Sequence, residues 1–434
     1  MNSIKKQLGV LIVFVCACSS NAPTYFSDVK PIIDARCVSC HSDGSIAPFN
    51  LDTYEEVRAL APAIQQAVTS RSMPPWLAKD ADVKYRKDPS LSDEQIQIIN
   101  DWITHGTLAG ENKSDSVNMT ADSDGLARVD LELSVPEPYT PKTRPDDYHC
   151  FAIPWTKESK TFVTGFNAIP GNPNIVHHIA VYLIPPSFVD QIKTWDAAEP
   201  GNGYTCFGGP SGAIESKIPT LLLSAWIPGR DAAVLPDNIG IAVEPGSYLA
   251  LQIHYNSTTS DPKPDQTKLQ FQLSNSVSKR AVYAPFLNID WVFGNMLIPA
   301  GEKNVVHEIR DDPREFFELF IQDMDFSNGF KIHGLMFHMH TLGINGEVAI
   351  LPQVKDSSTL LNIEKWDFDW QQEYFLEEPF SFKNGDLLKL SCTFDNSQSN
   401  QKCSDGKCRE AKDVNWGEGT NDEMCVVNLL ITEG

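Results

Sequence analysis

Two imidazoles leaving one face of one strand can share a metal ion, and His338 and His340 are spaced to do so. They sit in the apolar, strand-like run Phe337-His-Met-His-Thr-Leu-Gly343. Successive strand side chains point to opposite faces, so residues i and i+2 point the same way. A metal usually takes three or four ligands. Met424, in Asp422-Glu-Met-Cys-Val-Val-Asn428, is a candidate for the third. Two imidazoles with one thioether suit Cu(I), because soft sulfur favours it. No spacing by itself ties Met424 to His338. Further nitrogen donors lie earlier. His177 and His178 are adjacent, just before Ile179-Ala-Val-Tyr-Leu183, and His254 closes the run Tyr248-Leu-Ala-Leu-Gln-Ile-His254. Neighbours in an ideal strand face apart, so His177 and His178 can serve one metal only at a strand end or bulge. Pro170-Gly-Asn-Pro173 just upstream favours an irregular start. Together the three would make an all-nitrogen site for copper or zinc. Taken singly, each histidine has an ordinary reading as a hydrogen-bonded structural residue.

A different redox chemistry is written at residues 37–41, Cys-Val-Ser-Cys-His. This is the c-type haem attachment pattern: Cys37 and Cys40 bond the haem vinyl groups and His41 ligates the iron. A redox dithiol or half of a zinc site would use the same two cysteines, but neither needs the adjacent histidine. Met73, in the stiff loop Arg71-Ser-Met-Pro-Pro-Trp76, is the candidate sixth ligand. A thioether there raises the haem potential. His105, at a predicted helix end beside Gly106, is expected at the surface. Residues 29–36 read as a short helix entering the motif, and 91–105 as an amphipathic one. Ser92 and Gln95 form its capping box, and Ile96, Ile99 and Ile103 mark its buried stripe. The stretch 24–110 resembles a bacterial class I cytochrome c domain.

The elements that must position these groups follow from the rest of the chain. Its 434 residues suffice for several domains, and 41% apolar content is ordinary for globular protein. A net charge of −22 argues against a nucleic-acid partner. Residues 1–17 read as a signal: Lys5 and Lys6 precede the apolar run 8–15, too short to span a bilayer. The following Ala17-Cys18-Ser19 resembles a bacterial lipobox, with Cys18 the acylated residue. The chain is therefore expected to be exported and held to the envelope by lipid alone, with Ser19 suggesting the outer membrane. Export permits disulfides. Six cysteines are left for them, Cys150, Cys206, Cys392, Cys403, Cys408 and Cys425, with fifteen pairings open. The expected cytochrome domain occupies 18–110, and the polar, acidic stretch 111–127 reads as a linker. From 128 onward short strands alternate with turn signals, for example 128–133, 160–166, 179–183, 248–254, 268–273, 347–351 and 387–394. About 300 residues of this kind predict two antiparallel, jelly-roll-like β-sandwiches.

Taken in order, the histidine motifs resemble those of the copper type II, ascorbate-dependent monooxygenases, the family of peptidylglycine α-hydroxylating monooxygenase and dopamine β-monooxygenase. The resemblance covers residues 140–434. It runs through His177-His178, Ser224-Ala-Trp-Ile-Pro-Gly-Arg230 with Tyr248–Tyr255, Phe337–Gly343, and Asp422-Glu-Met-Cys425. It implies two sandwiches, 128–278 and 279–434, with one copper each across an open cleft. One copper would be held by His177, His178 and His254, the other by His338, His340 and Met424. The second would bind O2 and the first relay an electron, hydroxylating a C–H bond of a small-molecule substrate. The resemblance also implies ascorbate as reductant; the fused haem unit suggests a second electron donor. It implies Cys150–Cys206 and Cys392–Cys425 disulfides, leaving Cys403 and Cys408 to close a local loop. His149, His307 and His333 match no ligand position, though His333 is expected near enough to tune the second site. The peptide-amidating branch carries Arg two residues before its first His-x-His histidine and Tyr four after its methionine. Here those positions are Met336 and Asn428, which argues against a glycine-extended peptide. Competing readings are a non-catalytic electron-transfer or copper-handling lipoprotein, and a zinc enzyme in which Met424 is a core residue. Substrate identity and oligomeric state are not set by the sequence.

Overall fold

The computed structural model describes residues 22–434, except 44–46, 113–124, 207–208, 212–220, 229–231, 258–261, 322, 354–355, 369, 405–406, 418 and 420. The expected lipidation site at Cys18 and most of the expected linker lie outside the described residues. Among those residues no helix is long and apolar enough to cross a membrane.

A helical unit comes first. A π-helical turn at Tyr25–Val29 leads into α1 (Lys30–Arg36), followed by α2 (Tyr54–Ala59), α3 (Ala61–Thr69) and α4 (Asp93–Thr104). The helix α4 starts at the predicted capping box: Ser92 Oγ accepts from the Gln95 amide, and the Gln95 side chain accepts from the Ser92 amide. Its stripe differs from the expected one. Ile99 and Trp102 are fully buried, while Ile96 and Ile103 only pack against the core. The large indole takes the central position because it removes more apolar area from water. Tyr25, Val29, Ile33, Val57, Val68 and Trp102 give this unit a core of its own.

The remainder is mostly β. The first half contributes β1 (Leu131–Ser134), β2 (Asp146–Pro154), β3 (Thr161–Ile169), β4 (Val176–Ile184) and β5 (Tyr204–Thr205). It continues with β6 (Leu221–Trp226), β7 (Ala233–Val234), β8 (Ile239–Val243), β9 (Tyr248–Asn256) and β10 (Lys268–Ser274). The second half contributes β11 (Lys279–Phe286), β12 (Val305–Asp311), β13 (Phe330–His338), β14 (Gly343–Leu351) and β15 (Ser358–Ile363). It ends with β16 (Glu373–Phe382), β17 (Leu387–Phe394), the short β18 (Cys403–Ser404) and β19 (Lys407–Cys408), and β20 (Val426–Glu433). Two short helices, α5 (Val189–Ala198) and α6 (Arg314–Phe320), interrupt the strands.

Two separate antiparallel sandwiches are expected from the sequence. Instead one sheet, β1-β10-β3-β8-β11-β20-β13-β16, runs through both halves. The join is a parallel pair, with Lys279 opposite Ile239 and Ala281 opposite Ile241. A five-stranded sheet, β5-β2-β9-β4-β6, completes the first sandwich, and β12-β17-β14-β15 completes the second. Strand alternation then decides what each side chain of β13 sees. Leu335, Phe337 and Met339 enter the second core with Val427 and Leu429. Met336 and Leu430, on the other face, pack against the first core. Past the bulge between Ile332 and Gly334, even-numbered residues of β13 therefore point toward the first sandwich, and His338 is among them. A one-residue slip would bury it in the second core.

The disulfides are Cys150–Cys206, Cys392–Cys425 and Cys403–Cys408. The middle one pins β17 to the residue just before β20. The segment 76–88 leaves the helical unit and lies along the second sandwich. Ala78 bridges Ile363 of β15 and Tyr85 bridges Leu376 of β16. These are the end strands of their sheets. The strap thus covers two edges that would otherwise present unpaired backbone groups.

Candidate metal centres

Pairing explains how three distant histidines meet. His178 of β4 lies directly opposite His254 of β9, so both leave one face. The register shifts between Val176 and His178. That bulge turns His177 to the same side, where a regular strand would have turned it away. The result is tight: His177 Nδ1 is 3.1 Å from His178 Nδ1, and His254 Nδ1 is 3.4 Å from His178 Nδ1. Two nitrogens about 2.0 Å from one ion and about 100–120° apart are themselves about 3.1–3.5 Å apart, so the trio fits a single metal. The outer nitrogen of His254 is fixed as well. Its Nε2 donates to Asp146 Oδ1 at 2.8 Å, and its ring stacks on Tyr148 at 4.1 Å. The His254 bond holds the Asp146 carboxyl below the usual carboxylate range. Burial, then the neighbouring imidazoles of His254, His177 and His338, keep His178 well below the usual histidine range. A neutral imidazole is the form that binds metal.

The second pair is held the other way round. Gln371 donates its Nε2 to Phe368 O at 2.9 Å, which turns its Oε1 toward His338. His338 Nδ1 donates to that oxygen at 2.6 Å, so Nε2 is left to face a metal. His340 Nδ1 donates to Asp422 O at 3.0 Å, which also frees Nε2. The rings are 4.9 Å apart. Burial pushes His338 down to about 3, with His340 adding to the shift, and pushes His340 down to about 4. Glu423, fully buried, accepts from the backbone N–H of His340 at 2.9 Å and of Leu342 at 2.5 Å. It fixes the chain that carries His340. Trp366 Nε1 closes the other side by donating to His340 O at 3.0 Å. On β20, Val426 is opposite His338. The ladder ends there, and the buried Met424 lies two residues before Val426 in the segment that leads into β20.

At the haem motif Cys37 and Cys40 are unbridged and half-buried. Burial pushes Cys37 up to about 12, which keeps it a thiol. His41 Nδ1 donates to Phe49 O at 3.1 Å, leaving Nε2 for an iron. These three residues fit covalent haem. Met73 is 40% exposed and lines a shallow cleft with Val68, Trp76, Leu91 and Ile96. His105 caps α4 with Nδ1 on Asp101 O.

The remaining histidines have structural partners. His149 stacks on Tyr139 and meets Asn202 O; His307 meets Leu297 O. His333 departs from its expected place beside the second site. It sits at the bulge of β13, its Nε2 on Thr432 Oγ1 at the far end of β20. Five residues of strand separate it from His338, about 17 Å.

Residues 131–262 match the N-terminal domain of the copper type II ascorbate-dependent monooxygenases, and residues 294–431 match their C-terminal domain. The chain belongs to the copper type II ascorbate-dependent monooxygenase family. It is 22% identical over 366 residues to DBH-like monooxygenase protein 1 of Homo sapiens, covering 79% of this chain and 55% of that protein. The Gallus gallus protein of the same name is 21% identical over 364 residues, with the same coverage. The chain spans about half the length of the curated relatives it matches. Within this copper monooxygenase framework, sequence reasoning missed Asp146, Gln371 and Trp366. Nothing in their local pattern marks them; only the ladder and the loop before β16 bring them to the rings. Glu423 lies within Asp422-Glu-Met-Cys425, and its place beside the ligand candidate Met424 was the available signal.

Proposed function

We propose that this chain is an exported copper monooxygenase that hydroxylates a C–H bond of a small organic molecule with O2. The observation that carries the reading is the pair of unlike donor sets, three histidines converging through Nδ1 and a His338/His340 pair whose Nδ1 atoms are engaged so that Nε2 is left to bind. His177, His178 and His254 would hold one copper; His338, His340 and Met424 would hold the other. When bound, copper supplies one-electron storage and the activation of O2. The chain's own part is to keep His178, His338 and His340 neutral by burial and to aim all five imidazoles. Asp146, Gln371 and the Asp422 carbonyl fix the tautomers, and Glu423 holds the backbone between ligands. Met336 and Asn428 lie opposite one another on the His338 face. Neither carries a charge to hold a terminal carboxylate, which supports a small neutral or differently charged substrate over a glycine-extended peptide. Ascorbate is the reductant the family name carries. We read residues 24–110 as a cytochrome c unit with haem on Cys37, Cys40 and His41 and Met73 as sixth ligand, a second source of electrons. Cys18 would anchor the chain to the envelope through lipid.

The test is O2 uptake by copper-loaded protein with ascorbate against a panel of small C–H substrates. Substrate-dependent uptake matched by hydroxylated product, absent in His340→Ala, supports the reading. Copper-loaded protein that consumes no O2 with any of them, or a chain that takes up zinc in preference to copper, overturns it.

A further inference from the structure

The strap at 76–88 joins the helical unit to the second sandwich, and its aromatic residues do more than cover an edge. Trp76 is buried against Tyr374 of β16, ring centres 4.9 Å apart at 66°. Tyr85 closes a triangle, 5.7 Å from Trp76 and 5.6 Å from Tyr374, its hydroxyl donating to Leu360 O. At one end, Trp76 lines the same cleft as Met73, three residues away. At the other, Tyr374 stands three residues after Gln371, whose Oε1 accepts from His338 Nδ1. Between Met73 and the His338 ring, every step is therefore a short run of backbone, a ring contact or a hydrogen bond. Trp76, Ala78 and Tyr85 belong to the core of the second sandwich. Toward the first sandwich the strap reaches with Arg86, whose guanidinium donates at 3.5 Å to the carbonyl of Val234 in β7, a strand paired with β3 and not with β4 or β9.

We infer that Trp76, Tyr374 and Gln371 form the chain's electron route from the haem unit to the His338/His340 centre, without passage through the three-histidine centre. This rests on the haem and copper readings given above. One electron leaves ferrous haem, which becomes ferric, and reduces a cupric ion to cuprous. No bond is made or broken and no proton moves. Ferrous haem is restored by an enediol reductant such as ascorbate. Buried rings suit the task because they hold polarisable π-systems in contact with water excluded.

The experiment uses the full chain carrying haem and oxidised copper, without O2 or organic substrate. A photosensitiser reduces the haem in a flash; its reoxidation is followed at the haem α-band, and loss of the Cu(II) signal by freeze-quench EPR. Expected are reoxidation independent of protein concentration, a several-fold slower rate in Trp76→Leu, and recovery in Trp76→Phe. His254→Ala, which breaks the three-histidine centre, should leave the fast phase intact. An unchanged rate in Trp76→Leu, or loss of the fast phase in His254→Ala, overturns the route. The second arm stands even if Trp76→Leu does not fold. A pyridine-haemochrome assay on the purified chain separates the two levels. Absence of covalent haem overturns the haem reading and the route together, whereas bound haem with a Trp76-independent rate overturns the route alone.

Discussion

The two histidine centres solve one problem with opposite hands. The first is built inside a single sheet: a ladder pair brings His178 opposite His254, and one bulge adds His177. Its Nδ1 atoms converge, and the outer nitrogen of His254 meets the carboxylate of Asp146. The second takes two ligands from one strand and its thioether candidate from the segment leading into the neighbouring one, presents Nε2, and gives both outer nitrogens to neutral oxygens. An anionic outer partner makes an imidazole a stronger donor, which favours Cu(II). Neutral partners and soft sulfur favour Cu(I). Under the proposed reading, the first centre would store the oxidised ion and the second would meet O2.

The largest expected effects come from breaking either centre outright. His340→Ala and His177→Ala should each cost the chain one copper and abolish substrate-dependent O2 uptake, measured by metal analysis and an oxygen electrode. They should differ in what survives: the copper left in His340→Ala keeps an all-nitrogen EPR signature, and that left in His177→Ala does not. Identical signatures would erase the contrast. Next in size is Asp146→Asn. Loss of a carboxylate behind a metal-binding histidine typically costs about 10–100-fold in affinity. The first centre should weaken by that much in a competitive chelator titration while the second stays put.

Glu423→Ala acts on the second centre through the backbone. It strands the buried N–H groups of His340 and Leu342, at roughly 1–3 kcal/mol for each unsatisfied group. Thermal unfolding should fall accordingly, and the second copper's spectrum should broaden while the first is unchanged. Glu423→Gln, which keeps an acceptor oxygen, should recover part of both. Equal disturbance of the two spectra would mean that Glu423 serves the fold alone.

How much of this was legible in the sequence depended on whether the signal was local. Ser92 and Gln95 announced α4, and Leu387–Phe394 reads as a strand from its own alternation and is one. His338 and His340 carried their shared face in their spacing. His177 and His178 required a bulge, and the proline-rich approach to β4 hinted at one. What could not be read was set by pairing between distant strands. The parallel join of β8 to β11, the strap over β15 and β16, and the partners Asp146 and Gln371 all depend on which edges meet. The same residue types would fit many other pairings.

The smallest effect is a difference in acid sensitivity, and its sign follows from which form each group prefers when folded. His338 and His340 are pushed down to about 3 and about 4 from an ordinary 6.5, chiefly by burial. At these two sites the unfolded chain therefore binds more protons than the folded one below pH 6.5, and their contribution to stability falls as pH drops toward about 3, partly offset above pH 4.5 by Glu423, which burial pushes up to about 8. Asp146, held low by His254 from an ordinary 3.8, contributes stability that is full above that value and lost only below it. The metal-free chain should thus soften in two windows, an upper one belonging to the buried imidazoles and a lower one to which Asp146 contributes. Urea midpoints between pH 7 and pH 4 should fall less steeply in His338→Phe than in the unmodified chain. In Asp146→Asn the slope over that range should be nearly unchanged, because the carboxyl does not titrate there. If Asp146→Asn flattened the upper window instead, His338 and His340 would not account for the acid response, and the first centre, through its buried His178, would carry it.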